Sequence, residues 1–171
     1  MFQSAMGWIA KGDYDRAIGD FSEVIKLKPV DGSAWHNRGN AYLEKGYYDQ
    51  AIKDFSEAIR LKPGWALAWH QRGVAYGKKG DYDQAIKDCS EAIKLDPEWA
   101  PPWSHRGWAY SKKGNPGQAI KDCSEAIKLD PGWAFPWRNR GDAYRKLGNE
   151  AKAQADFLKA EELEAKARSK P

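Results

Sequence analysis

ALAWHQRGVAYGKKGDYDQAIKDCSEAIKLDPEW, residues 66–99, reads as two amphipathic helices joined by a glycine turn. Trp69, Gly73 and Tyr76 follow helical spacing up to Gly80. Asp81 then opens a second run, Ala85, Ile86, Cys89, Ala92, Ile93 and Leu95, at i, i+3, i+4 and i+7. Pro97 stops that run, because proline cannot continue a helix. Asn115 and Asn149 can cap where Asp81 does; Tyr47 cannot. A link as short as the one around Gly80 folds the two helices back antiparallel.

Outward from this stretch, the unit repeats. Pro29, Pro63, Pro97 and Pro131 stand 34 residues apart, as do Trp35, Trp69, Trp103 and Trp137. Gly39, Gly73, Gly107 and Gly141 keep the period, and so do Tyr42, Tyr76, Tyr110 and Tyr144. Four registers with one period predict an array of about five hairpins: 1–31 (short at its front), 32–65, 66–99, 100–133 and 134–167. The expected fold is all-α, a right-handed superhelical solenoid of antiparallel helix pairs forming a single domain over 1–171. Glycines such as Gly73, facing Ala85 across the hairpin, let helices approach to roughly 8–10 Å. Trp69 and Tyr76 fill the space beyond them.

Here the chain resembles the tetratricopeptide repeat (TPR) family, whose pattern runs Trp-x2-Leu-Gly-x2-Tyr, Ala-x3-Phe, Pro. Trp35, Gly39, Tyr42, Ala51, Phe55 and Pro63 match it in order. Two departures recur. Arg38, Arg72, Arg106 and Arg140 stand where the pattern has Leu, and Cys89 and Cys123 replace Phe. Each arginine has a carboxylate placed to meet it: Arg38 lies eight residues before Gly46, and Asp54 eight after. Folding back at the glycine brings them together, and Arg72 with Asp88, Arg106 with Asp122 and Arg140 with Asp156 repeat the arrangement. Guanidinium and carboxylate can pair through two bonds, so we expect a structural ion pair in each hairpin.

Composition narrows function. Charged residues make up 30% of the chain and mean hydropathy is -0.82, which suits an elongated, solvated protein. The formal net charge of +4 is too mild to argue for nucleic acid. Lys78, Lys79, Lys112 and Lys113 close first helices, where the helix dipole favours positive charge. No apolar run approaches the roughly 20 residues that span a bilayer, so no membrane partner is expected. No secretory signal is visible at Met1–Ile9 and two cysteines make no disulfide framework, which points to a cytoplasmic setting.

No nucleophile–base pair, phosphate-cradling loop or carboxylate dyad is specified, which argues against an enzyme and against any cofactor. Cys89 and Cys123 sit at equivalent places of successive units, about 10 Å apart, beyond disulfide reach. His36, His70 and His105 fall on neighbouring first helices, too far apart to converge on zinc, so no metal is expected.

The resemblance implies that first helices line a concave groove that binds a protein or peptide segment. Subtracting core positions leaves Ser33, His36, Asn37, Asn40 and Glu44 from the second unit, and Leu67, His70, Gln71, Val74 and Lys78 from the third. The fourth offers Pro101, Ser104, His105, Trp108 and Lys112. Phe135, Arg138, Asn139, Asp142, Arg145 and Lys146 come from the fifth. This lining runs from amide-rich through apolar to basic. Asn and Gln can pair with peptide backbone, Trp108 can anchor, and Arg138, Arg145 and Lys146 can attract a carboxylate. Some family members clamp a terminal carboxylate. At the corresponding places stand His36, Asn40, Gln71, Pro101 and His105, of which Asn40 alone fits.

Trp65, Trp99 and Trp133 precede the first helices, either as inter-repeat wedges or as an aromatic rim for a partner. Gln154 and Glu161 replace the isoleucines of earlier second helices, a polar cap for the last hairpin. At the front, Phe2, Met6 and Trp8 leave the first helix apolar. Either the chain is a fragment of a longer array, or this end contacts a partner such as a second copy. The functional expectation is a protein–protein interaction scaffold, with self-association as the alternative.

Overall fold

The computed structural model describes residues 1–169. Every regular element among them is an α-helix. Contacts within the chain divide it into two compact units, residues 1–81 and the residues from Tyr82 on. The first holds α1 (Phe2–Ala10), α2 (Tyr14–Leu27), α3 (Gly32–Glu44), α4 (Tyr48–Leu61) and α5 (Ala66–Lys79). The second holds α6 (Tyr82–Leu95), α7 (Ala100–Lys112), α8 (Pro116–Leu129), α9 (Ala134–Lys146) and α10 (Glu150–Arg168).

Local chemistry sets these boundaries. Asp13, Asp31, Asn115 and Asn149 cap second or first helices by accepting from backbone N–H groups two or three residues on; Arg16 N lies 3.2 Å from Asp13 and Gln118 N 3.1 Å from Asn115. Tyr47, at the equivalent place, makes no side-chain cap. Within a hairpin the chain reverses through glycine: Gly46 has φ 77° and Gly114 φ 81°, left-handed values open to a residue without Cβ. Tyr47 N then reaches back to the Tyr42 carbonyl at 2.9 Å, and Asn115 N to that of Tyr110 at 2.9 Å. Those bonds close the helix end.

In the first unit, α1 pairs with α2 and α3 with α4, while α2 meets α3 and α4 meets α5. Its core is small and aromatic: Ala5, Ala17, Phe21, Ala34 and Ala41, then Leu43, Ala51, Phe55 and Ala75. In the second, α7 pairs with α8 and α9 with α10; α6 meets α7, α8 meets α9, and α7 touches α9 directly. Ala109, Ala119, Cys123, Ala126 and Ala143 are fully buried there.

Close approach depends on glycine. A Cβ at Gly141 would stand 2.6 Å from the Phe157 ring and 3.2 Å from the Ala153 carbonyl. At Gly107 it would meet Cys123 Sγ at 2.7 Å. Cysteine in place of Phe therefore keeps the same contact with a smaller atom. Cys89 and Cys123 are both free and buried, and burial pushes each thiol up to about 12, so neither is a nucleophile at neutral pH.

The repeated tryptophans need a correction. Trp35, Trp69, Trp103 and Trp137 do not simply fill the core; they are half-buried, and each indole N–H donates to the proline carbonyl six residues before it, at 2.8, 2.8, 3.0 and 3.3 Å. The ring packs while its N–H stays at the surface, where the inter-repeat turn supplies an acceptor.

Candidate functional site

A recurrent polar module holds the first helices in place. Arg38 Nε and Nη2 lie 2.7 and 2.8 Å from the two oxygens of Asp54, a two-pronged pair across the α3–α4 hairpin. Arg106 pairs with Asp122 at 2.7 and 3.0 Å, and Arg140 with Asp156 at 2.8 and 2.8 Å. Arg72 and Asp88 fall in different units.

Each arginine has two further partners that sequence reasoning missed. Its third nitrogen donates to a serine of the preceding second helix: Arg38 to Ser22, Arg72 to Ser56, Arg106 to Ser90 and Arg140 to Ser124, at 2.9–3.1 Å. Its flat face lies over the tryptophan three residues before it, 4.8–4.9 Å from the ring. The serines recur with the same 34-residue period, and that was the available signal. Burial raises the Asp54 carboxyl, and the bonds from Arg38 oppose that shift. One guanidinium thus ties its own hairpin to the one before it.

Several residues expected to line the groove lie inside. His36, His70 and Asn139 are 4%, 6% and 6% exposed, and Ser104 is fully buried. His36 is sandwiched between Trp65, 4.5 Å away, and Phe55, 5.6 Å away. Trp65 is thereby a wedge between successive repeats. Within each unit, His36 and Ser104, the residues after Trp35 and Trp103, are buried where successive first helices pack, and a planar ring or a small hydroxyl fits there. Burial pushes His36 down to about 4, with a hydrogen bond to Asn37 opposing, and its Nε2 has no hydrogen-bond partner.

On the first-helix face of the first unit, Asn37, Asn40, Leu67, Gln71 and Val74 are half-buried, and Glu44 and Lys78 are exposed. Asn40 joins two helices: it accepts from Gln71 at 3.1 Å and contacts His36 Nδ1 at 3.4 Å. This face is neutral and largely self-satisfied.

The face of the second unit differs along its length. Near the starts of α7 and α9, His105, Trp133 and Phe135 form an aromatic cluster with ring centres 5.2–6.2 Å apart. His105 Nδ1 donates to the Pro101 carbonyl at 3.0 Å, which fixes its tautomer. Toward the other end, Trp108, Ser111, Lys112, Asn139, Asp142, Arg145 and Lys146 line a recess of about 270 Å³. Buried Asn139 thus forms part of its wall.

The basic residues are not equally available. Arg138 pairs with Glu164 at 2.8 Å, and Arg145 with Asp142 at 2.6 Å. Both were expected to await a carboxylate, and acids within the unit already occupy them. Lys112 lies 5.8 Å over the Trp108 ring and Lys146 donates to the Ser111 carbonyl. Neither lysine meets a carboxylate among the described residues. Gln154 and Glu161 are exposed on α10 and border Arg138 and Arg145. No group of three metal-ligating side chains occurs among the described residues, and no helix there is long and apolar enough to cross a membrane.

Comparison with known proteins gives one coherent result. Models of the tetratricopeptide repeat match residues 66–98, 100–132 and 137–166, and a TPR repeat model matches 9–46 and 39–80. Among solved structures, MamA is similar at 26% identity and a TM-score of 0.85, covering 97% of each chain. MamA from Desulfovibrio magneticus RS-1 is 21% identical with a TM-score of 0.86, covering 96% of this chain and 93% of that one. YrrB, a TPR protein with an unusual peptide-binding site, is 21% identical with a TM-score of 0.76, covering 95% and 84%. No curated protein sequence matches significantly. The chain belongs to the tetratricopeptide repeat family, and its all-α helix hairpins are that family's protein-interaction scaffold.

Proposed function

We propose that this chain binds a peptide or protein segment on its first-helix faces. The observation that carries the reading is the recess beside Trp108. Here the indole N–H makes no hydrogen bond among the described residues, whereas those of Trp103 and Trp137 are satisfied by proline carbonyls. A half-buried aromatic with an open donor, flanked by Asn139 and charged side chains, suits a peptide that offers both a carbonyl and a side chain. Asn40 on the other unit's face already bonds Gln71 and touches His36, so a peptide backbone there would exchange those contacts for its own.

Selecting ligands from a displayed random-peptide library on the immobilised chain tests this. We expect ligands of micromolar affinity that weaken at least tenfold in W108A or N40A, with helicity and melting unchanged. No ligand recovered, or ligands indifferent to both substitutions, would end the reading.

A second reading, self-association, is favoured by the front of the first unit. Met1, Leu27 and Val30 are 66–76% exposed, and Met1, Phe2, Val24 and Leu27 border an apolar recess of about 300 Å³. Light scattering across a concentration series should then show mass rising above 19.3 kDa. A constant mass removes this alternative.

A further inference from the structure

The recess and the aromatic cluster of the second unit lie on one helix face. His105 and Trp108 are three residues apart on α7, and Phe135, Arg138, Asp142 and Arg145 follow at three- and four-residue steps on α9. Since α8 runs antiparallel to both, α7 and α9 are parallel, so the aromatic end of one adjoins the aromatic end of the other. From Phe135 to Lys146 is about 16 Å of helix, which an extended peptide of about five residues covers.

Charge at the far end has one sign in excess. Arg145 and Asp142 neutralise each other, which leaves Lys112 and Lys146 without a carboxylate. The Trp108 N–H adds a neutral donor. The geometry points to an acidic peptide segment as the occupant: one side-chain carboxylate enters the recess, held by Lys112, Lys146 and Trp108. An apolar side chain about five residues away rests on His105, Trp133 and Phe135. The inference builds on peptide binding as proposed above and names the chemistry of the partner. None of the recess residues is one of the His36, Asn40, Gln71, Pro101 and His105 positions that correspond to a terminal-carboxylate clamp.

Arg145 is not the deciding group, because its charge is already matched. Lys112 and Lys146 are exposed and stand outside the core, so they can be altered without unfolding the unit.

The test uses six-residue peptides, acetylated and amidated so that no terminal charge contributes. Each carries leucine at one end and two aspartates, two asparagines or two lysines at the other. Titration against the full chain should show the aspartate peptide binding at least tenfold tighter than the asparagine one. Affinity should weaken as salt rises. K112E/K146E should lose at least tenfold for the aspartate peptide and gain for the lysine peptide. Replacing leucine by glycine should weaken binding several-fold, as should F135A. A six-nucleotide single strand should compete poorly, since its charge repeats at every residue while the two ammonium groups stand at one end only.

Equal affinity for aspartate and asparagine peptides would overturn the proposal, as would K112E/K146E binding like the parent. So would an oligonucleotide that binds as tightly and responds to the same substitutions. The aspartate peptide failing to bind at millimolar concentration would overturn it too. If library selection still yields neutral peptides sensitive to Asn40 or Trp108, peptide binding stands and the acidic assignment alone falls.

Discussion

The two units share the chain's formal charge of +4 equally, yet place it differently on their first-helix faces. Counting two repeats back from the recess residues Trp108, Lys112, Asn139, Asp142 and Arg145 gives Asn40, Glu44, Gln71, Val74 and Gly77. One set holds an open indole N–H and the Lys112 ammonium, where the other has Asn40 and the Glu44 carboxylate and links its amides to each other. The framework below is the same in both, since Arg38 and Arg106 make the same carboxylate, serine and tryptophan contacts. On the proposed function, specificity would be written on the few positions that the Arg-Asp-Ser-Trp module holds rigid but does not use. A repeat array can change its partner at such positions without altering its fold.

The largest contrast concerns acid. At the place of His36 the second unit has Ser104, also buried but unable to titrate. Burial holds His36 at about 4 in the folded chain, against about 6.5 when unfolded. As pH falls, the unfolded state takes up this proton first. The stability is therefore intact above about pH 6.5 and is lost progressively down to about pH 4. A shift of this size corresponds to about 3 kcal/mol. Denaturant titrations at pH 7 and pH 4.5 should show H36S losing less stability on acidification than the parent. Hydrogen exchange at pH 4.5 should open α3 and α4 before α7 and α8. An unchanged pH slope in H36S would show that His36 takes up its proton without unfolding, and the two units would then not differ in this respect.

Much of this was legible in the sequence, because a 34-residue period repeats any physical requirement that every hairpin shares. Turn glycines, stopping prolines and the Arg–Asp registers follow from folding the chain back at Gly46 or Gly114. Ser22, Ser56, Ser90 and Ser124 carry the same period, yet nothing local marks their role. A hydroxyl on a second helix shows no apolar pattern, and its partner lies in the following repeat. The face residues were harder. His36, His70 and Asn139 are polar, so periodicity assigned them to solvent, but adjacent first helices pack there and bury them. Which basic side chains are already paired was not legible either. Glu164 reaches Arg138 across 26 residues that obey no repeat, because the capping hairpin departs from the pattern there.

The smallest effect sharpens the comparison most directly. Glu44 occupies in the first unit the place of Lys112 in the second, exposed at the last position of α3. E44K removes a negative charge from a helix C-terminus and adds a positive one, both favoured by the helix dipole. Melting should stay level or rise slightly. Lys78 already stands where Lys146 does, so the substitution recreates the pair of ammonium groups, while Asn40 and Val74 supply neither an indole nor an acid. Exposed charges contribute under about 1 kcal/mol each, so the aspartate hexapeptide should gain about threefold on this face. The gain should be read in a K112E/K146E background, where the second unit is silenced. If E44K restores nothing, two ammonium groups alone do not make the site and the Trp108 indole is required. If it restores full affinity, charge alone selects the peptide and the aromatic wall is dispensable.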